Sequence, residues 1–345
     1  MALRLFWAFL LPCASAMRLE NDIMNEGTEC TARERTLLWQ RLGIGKAFGK
    51  PCSLESEWGS SMVYNNPASP NTVALFLYPE EDHNGAFNIC DERKFDRVLC
   101  TRLFTQTEHY SLQFHRVPSV EGATRVVDGI PSDVTIKHLV LAGHGDPNSL
   151  MWGSDGPGIT GSLSVEDDTT DGFLDKVYRH MIKGGDHRST VMLDACLNGQ
   201  PVDDKNMLQH VAHRLAGTRV FASTISWGND QFFLVNGKEF TAKIKSKGKN
   251  QMRTLSLDDP ELQKWNFYPN EYCSDKSPSP TIDQSLTTCR EACERAGILC
   301  NAFVFYPDGN ARAPHKKCYL SPQCEETDDS RLGSMIFEKS DEHTY

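Results

Sequence analysis

The sequence predicts an α/β protein: a parallel-rich sheet with helices on both faces, followed by a small disulfide-rich α+β module. Three observations carry this. Between residues 71 and 255, short continuous apolar runs alternate with segments whose apolar residues recur at helical spacing, and strands separated by helices pair in parallel. After about residue 250 the style changes, as basic, polar KIKSKGKNQ gives way to CSDKSPSPTID. Finally, six of the 12 cysteines crowd toward the C-terminus: Cys273, Cys289, Cys293, Cys300, Cys318 and Cys324.

Taken in order, the chain starts with MALRLFWAFLLPCASA, an early Arg, a short apolar core and a small-residue end. This is the pattern of a secretory signal peptide over residues 1–16, and its apolar run is too short to span a bilayer. Residues 17–70 are polar and irregular, with one short helix expected around Glu34–Leu42, and read as an N-terminal extension or pro-segment. Five strands follow, at Thr72–Pro79, Ser111–Pro118, Val134–Gly145, Ser189–Cys196 and Thr218–Ile225. Between them, Phe173, Leu174, Val177, Tyr178 and Met181 share one helix face, with Gly184-Gly185 expected as its C-terminal cap. Met207, Leu208, Val211, Ala212 and Leu215 share another, capped by Asp203 or Asp204 and ended by Gly217. A boundary is expected near residues 255–268, with the second module spanning 268–339.

Hydrophobic content of 39% and charged content of 24% suit a globular chain, and the formal net charge is -10. An acidic chain lacks the basic face that nucleic acids and anionic membranes select, so no nucleic-acid partner is expected. No segment after the signal is apolar enough for a membrane span. His83, in PEEDHNG, sits among acids and raises a metal reading, but such charge runs are ordinarily solvated turns, so neither metal nor cofactor is expected. His210 and His213 lie on a helix and read as surface or packing residues.

The chemistry rests on cysteine arithmetic. With Cys13 in the signal, Cys30, Cys52, Cys90 and Cys100 form one even set and the C-terminal six another, as disulfides in an oxidising compartment require. Cys196, in VMLDACLNG, is the odd one. One strand ends at His144, inside AGHGD, and another at Cys196. In an open parallel sheet, sites gather beyond the C-terminal strand ends. If the two strands are neighbours, an imidazole and a thiol meet there, and a thiol needs such a base to act as a nucleophile at neutral pH. The amides of Gly145 and Cys196 would then face a developing oxyanion. Asp194, two residues before the thiol, shares its strand face.

His144-Gly145 and Asp194-Ala195-Cys196 resemble the motifs of the caspase–legumain clan of cysteine peptidases. Their separation of 52 positions is near the roughly 50 of caspases. LDACLNG is similar to legumain's E-A-C-x-S-G, with Asn198 where legumain has Ser, and to the D-x-C of metacaspases. The resemblance covers about residues 71–250. It implies a caspase-like sheet, a His144/Cys196 dyad acting on polypeptide substrates, and Asp194 in the substrate pocket. In metacaspases that acid helps bind a basic P1 side chain, whereas legumain prefers Asn.

In the C-terminal segment, LTTCREACERAG reads as a helix with Cys289 and Cys293 on one face, and ILCNAFVFYP as a strand. A zinc site is the alternative use of such cysteines, but the spacings lack paired CxxC knuckles. The pattern resembles the PAN/apple family, which implies the pairs Cys273–Cys324, Cys289–Cys318 and Cys293–Cys300 and a protein or carbohydrate ligand. The expected whole is a cysteine endopeptidase, secreted or in the endomembrane lumen, carrying a binding module. The alternative is an inactive caspase-like scaffold in a secreted adhesive protein.

Overall fold

The computed structural model describes residues 62–64, 66, 68–80, 109–153, 160–202, 205–226, 232–236, 241–247, 249–271, 273, 281–282, 285–306, 317–322, 324 and 334–340. The signal segment, the helix expected at Glu34–Leu42, His83, and Cys30, Cys52, Cys90 and Cys100 lie outside the described residues. Among those described, no helix is long and apolar enough to cross a membrane.

The first module is built on β1 (Met62–Tyr64), β2 (Thr72–Pro79), β3 (Ser111–Val117), β4 (Thr135–Ala142), β5 (His144–Gly145), β6 (Ser149–Met151), β7 (Ser162–Ser164), β8 (Thr190–Asp194) and β9 (Arg219–Ser223). It continues with β10 (Phe232–Asn236), β11 (Thr241–Ser246), β12 (Lys249–Asn250) and β13 (Met252–Leu255). A seven-stranded sheet runs β1-β3-β2-β4-β8-β9-β13. Its five inner strands, which are the five expected from sequence, pair in parallel. The two edges, β1 and β13, pair antiparallel. β1 falls inside the stretch expected to be irregular extension, so the sheet begins before residue 71.

Register decides what each face buries. Leu77, Leu141 and Leu193 share one core with residues of α1 (Val120–Asp128), α2 (Asp168–Arg179) and α3 (Met207–Arg214). Burying each such side chain stabilises the fold by about 1.5–3 kcal/mol. The opposite face carries Phe76 stacked on Phe114, ring centroids 4.2 Å apart, and Tyr110 edge-on to His138. Among the described residues, the helices of this module pack on the first face; the other face is buried as well, and the expectation of helices there falls outside the described residues.

The helix ends also differ from expectation, for identifiable reasons. α2 starts early because the Asp167 side chain accepts from the Thr169 amide. It stops at Arg179, with His180 rather than Gly184-Gly185 as its cap. The chain must leave the helix there because the Ile136 amide donates to His180 O at 2.9 Å and Met181 bridges to Ile136. α3 is capped by Asn206, not by Asp203 or Asp204, which lie outside the described residues. Asn206 and Gln209 bond each other's backbone amides reciprocally.

The second module consists of β14 (Trp265–Pro269), β15 (Thr281–Ile282), α4 (Leu286–Ala296), β16 (Ala302–Tyr306), β17 (Lys317–Ser321) and β18 (Met335–Lys339). Its strands run β14-β18-β16-β17-β15, all antiparallel. Disulfides join Cys273 to Cys324, Cys289 to Cys318 and Cys293 to Cys300, the pairs the PAN/apple resemblance implies. The last two tie α4 to β17 and to the entry of β16. Cys196 stands outside these three bonds.

The stretch where a boundary is expected packs against both modules. Leu257 and Leu262 are buried in one core with Ala216, Trp265 and Phe303. Tyr178 donates to Pro260 O at 3.3 Å, and Arg188 pairs with Asp258. His213, on α3, is buried with its ring stacked on Phe267. Its Nε2 lies 3.0 Å from Leu262 O and 2.7 Å from Trp265 O, so that nitrogen carries the proton and donates.

Burial holds His213 neutral by pushing its pKa down to about 3 from 6.5, with the Lys205 charge acting in the same direction. Below the unfolded value the unfolded chain binds this proton and the native one does not, so stability falls as pH drops from about 6.5 toward 3. The slope from this one group approaches about 1.4 kcal/mol per pH unit. Urea titrations across that range should show this loss in the wild type and a shallower one in His213→Phe; equal slopes would show that His213 does not carry it.

Candidate functional site

β4 and β8 are parallel neighbours with Ala142 opposite Asp194, and the Gly143 amide donates to Asp194 O at 3.3 Å. His144 and Cys196 each follow two residues beyond that register pair. They leave the same edge of the sheet on adjacent strands, and both are half-buried. After His144 the chain turns into an antiparallel β5–β6–β7 ribbon. After Cys196 it turns the other way, through Leu197 in the left-handed region with φ 62°. That loop lies along the end of β9, where the Leu197 amide donates to Ile225 O at 3.3 Å and the Gly199 amide to Ser223 O at 2.7 Å.

The two loops are in direct contact at Gly145. A Cβ on this residue would stand 2.8 Å from Cys196 O, 2.9 Å from the Ala195 Cβ and 2.9 Å from Asn198 Nδ2. Backbone and buried side chains cannot retreat from such approaches, so position 145 requires glycine. The fully buried Asn198 donates from Nδ2 to Asp146 O and to Ser149 O, the latter at 2.7 Å.

Asp194 is buried, on the sheet face away from the helices. Arg116 pairs with Tyr78 and Ala142 with Asp194, and each of Tyr78 and Ala142 follows the last β2–β4 register pair, Leu77 with Leu141, by one residue, so the four continue one row across β3, β2, β4 and β8. Arg116 is also buried, and its guanidinium donates to Pro79 O at 2.7 Å. Burial first, then the negative charge of Asp194, pushes the Tyr78 hydroxyl pKa far upward, while Arg116 pulls it down. The row is thus electrostatically connected from Asp194 to Arg116.

Sequence reading identified His144, Gly145, Asp194 and Cys196, and the structure gathers all four at one edge. It gave no place at this edge to Arg116 and read Asn198 only as the residue standing where legumain has Ser. Arg116 sits in an alternating strand, where a charged residue reads as solvent-facing. Asn198 precedes a glycine and reads as a turn signal. The remaining helix histidines do not join the site. His210 Nε2 lies 2.9 Å from Asp171, tying α3 to α2, and burial pushes its pKa down despite that carboxylate. No group of three or more His, Cys, Asp or Glu side chains suited to a metal occurs among the described residues.

No protein-family model matches the chain, and no curated protein matches it either. Among solved structures, the chain is similar to a serine palmitoyltransferase variant from S. paucimobilis with a bound PLP–myriocin aldimine, at 11% sequence identity and a TM-score of 0.25. The likeness covers 73% of this chain and 52% of that one, so the chain spans about half its length. A likeness at that score bears on neither fold nor function.

The contact at Gly145 gives a direct stability test. Gly145→Ala should destabilise the protein by about 1–3 kcal/mol through overpacking. Gly172, inside α2 with open space around its Cβ position, should give the opposite sign, with Gly172→Ala stabilising by about 0.5–1 kcal/mol. Chemical denaturation of the two variants against wild type checks both; a neutral Gly145→Ala would mean the loops separate freely.

Proposed function

We propose that the protein is a cysteine endopeptidase of the caspase–legumain type, secreted or in the endomembrane lumen, with a PAN/apple module that binds protein or carbohydrate. The observation that supports it is the parallel pairing of β4 with β8. It brings a histidine and a cysteine out of adjacent strand ends with their loops in contact. His144 takes the proton of the Cys196 thiol, and the thiolate attacks the carbonyl carbon of the scissile peptide. The amides of Gly145 and Cys196 stabilise the resulting oxyanion. The C–N bond then breaks, the amine leaves with the proton from His144, and water hydrolyses the thioester. The left-handed Leu197 supports this reading, because strained backbone beside a nucleophile turns it out of the strand at a fixed angle.

Asp194 lines the P1 pocket in this reading. A buried carboxylate beside the P1 side chain attracts a cation and repels an anion, and low local polarity magnifies the difference. The test uses peptidyl probes that alkylate thiols. Labelling should fall on Cys196, should be lost in His144→Ala, and should favour Arg or Lys over Asp at P1 by at least about tenfold. Asp194→Asn should lose that preference while keeping its reactivity toward a neutral probe. Absence of His144-dependent labelling would leave the inactive, adhesive scaffold as the reading. A P1 profile unchanged in Asp194→Asn would remove this acid from the pocket.

A further inference from the structure

We infer that Asn198 is a positioning residue whose side-chain amide staples the His144 loop to the Cys196 loop, and so fixes the imidazole relative to the thiol. This rests on the peptidase reading above. Asn198 follows Cys196 by two residues and is fully buried. Both protons of its Nδ2 are spent on the other loop, on Asp146 O and on Ser149 O at 2.7 Å. These carbonyls are the two ends of the turn that follows His144-Gly145. The turn is already rigid within itself, since the Asp146 carboxylate accepts from the Asn148 amide at 2.7 Å, the Ser149 amide at 2.8 Å and the Ser149 hydroxyl at 2.9 Å. What remains to be fixed is its place against the cysteine loop, and the Asn198 amide does that.

Two further contacts hold the staple. The Leu208 amide, in the first turn of α3, donates to Asn198 O at 3.0 Å, and the Met207 amide donates to Pro147 O at 2.7 Å. The same helix end therefore grips both loops. Asn198 Oδ1 is buried with no hydrogen-bond partner among the described residues, so the side chain is kept there for what its nitrogen donates. The chemistry is exclusive. A serine offers one donor where two are used. An aspartate offers none and would face two carbonyl oxygens with a negative charge. Glutamine is longer by a methylene, at a place so close to Gly145 that a Cβ there would already stand 2.9 Å from Nδ2.

The test reads the thiol directly, without a substrate. The full chain is alkylated with iodoacetamide from about pH 4 to 9, and the Cys196 peptide is quantified by mass spectrometry. An imidazole-coupled thiol shows a reactivity inflection below the ordinary thiol range, and His144→Ala should abolish it. If the wild type shows no such inflection, the peptidase reading itself fails, whatever Asn198 does. Given the inflection, Asn198→Asp should move the profile to that of His144→Ala and slow labelling near neutrality by at least about tenfold. Asn198→Ser, with one donor left, should fall between. Ser119→Ala, which removes the cap of α1 and touches neither loop, is the control for lost stability and should keep the wild-type profile. A wild-type profile in Asn198→Asp overturns the inference. If that variant does not fold, a wild-type profile in Asn198→Ser does the same.

Discussion

The hydrogen-bond ladder between β4 and β8 is the constraint on which the site depends. Strand pairing fixes register in whole residues, and a slip of one would turn every side chain to the other face. Leu139, Leu141, Val191 and Leu193 are all buried against the helices, so a slip would turn them away and put His138 and Asp194, which the other face buries, into that apolar core. The apolar core therefore enforces Ala142 opposite Asp194, and through it the equal reach of His144 and Cys196 beyond the strand ends. Stability and geometry at this edge are one requirement, not two.

α3 extends that constraint across the molecule. Its first amides bond the loops after His144 and after Cys196. Its middle carries His210 to Asp171 on α2. Its last turn presents His213 to the carbonyls of Leu262 and Trp265, and Ala216, just beyond it, joins the core of the C-terminal module. A module that hung on a flexible linker would share no core with its neighbour. Here an eight-residue helix touches the site at one end and the second module at the other, so the C-terminal module is part of the framework that supports the site.

What the sequence made legible was whatever repeats or stands out alone. The five inner strands are short apolar runs stopped by Pro, Gly or polar residues, and strand β2 occupies the expected Thr72–Pro79. His144 and Cys196 were legible because strand ends and cysteine parity single them out. α1 was not legible, because VEGATRVVD is short and carries Gly and β-branched Val, which are poor helix formers. Gly122 is there for space, since a Cβ would stand 2.8 Å from Pro118 Cδ. The antiparallel edges were hidden for another reason. β13 is MRTL, whose two central residues are exposed, and an edge strand needs no apolar run. The roles of Arg116 and Asn198 were invisible because they come from register and loop contact, which bring together residues far apart in the chain.

The row from Arg116 to Asp194 bears on how a buried acid can be retained beside a thiol. An uncompensated carboxylate in a sheet interior is costly, and a compensating cation lowers that cost. Arg116 supplies the cation but stands on β3, with Tyr78 on β2 and the small Ala142 on β4 between it and Asp194. Asp194 remains the nearer charge to Cys196, since it lies two residues away on the same strand. In the peptidase reading proposed above, charge selection at this edge would follow from the order of residues along the row and not from their sum.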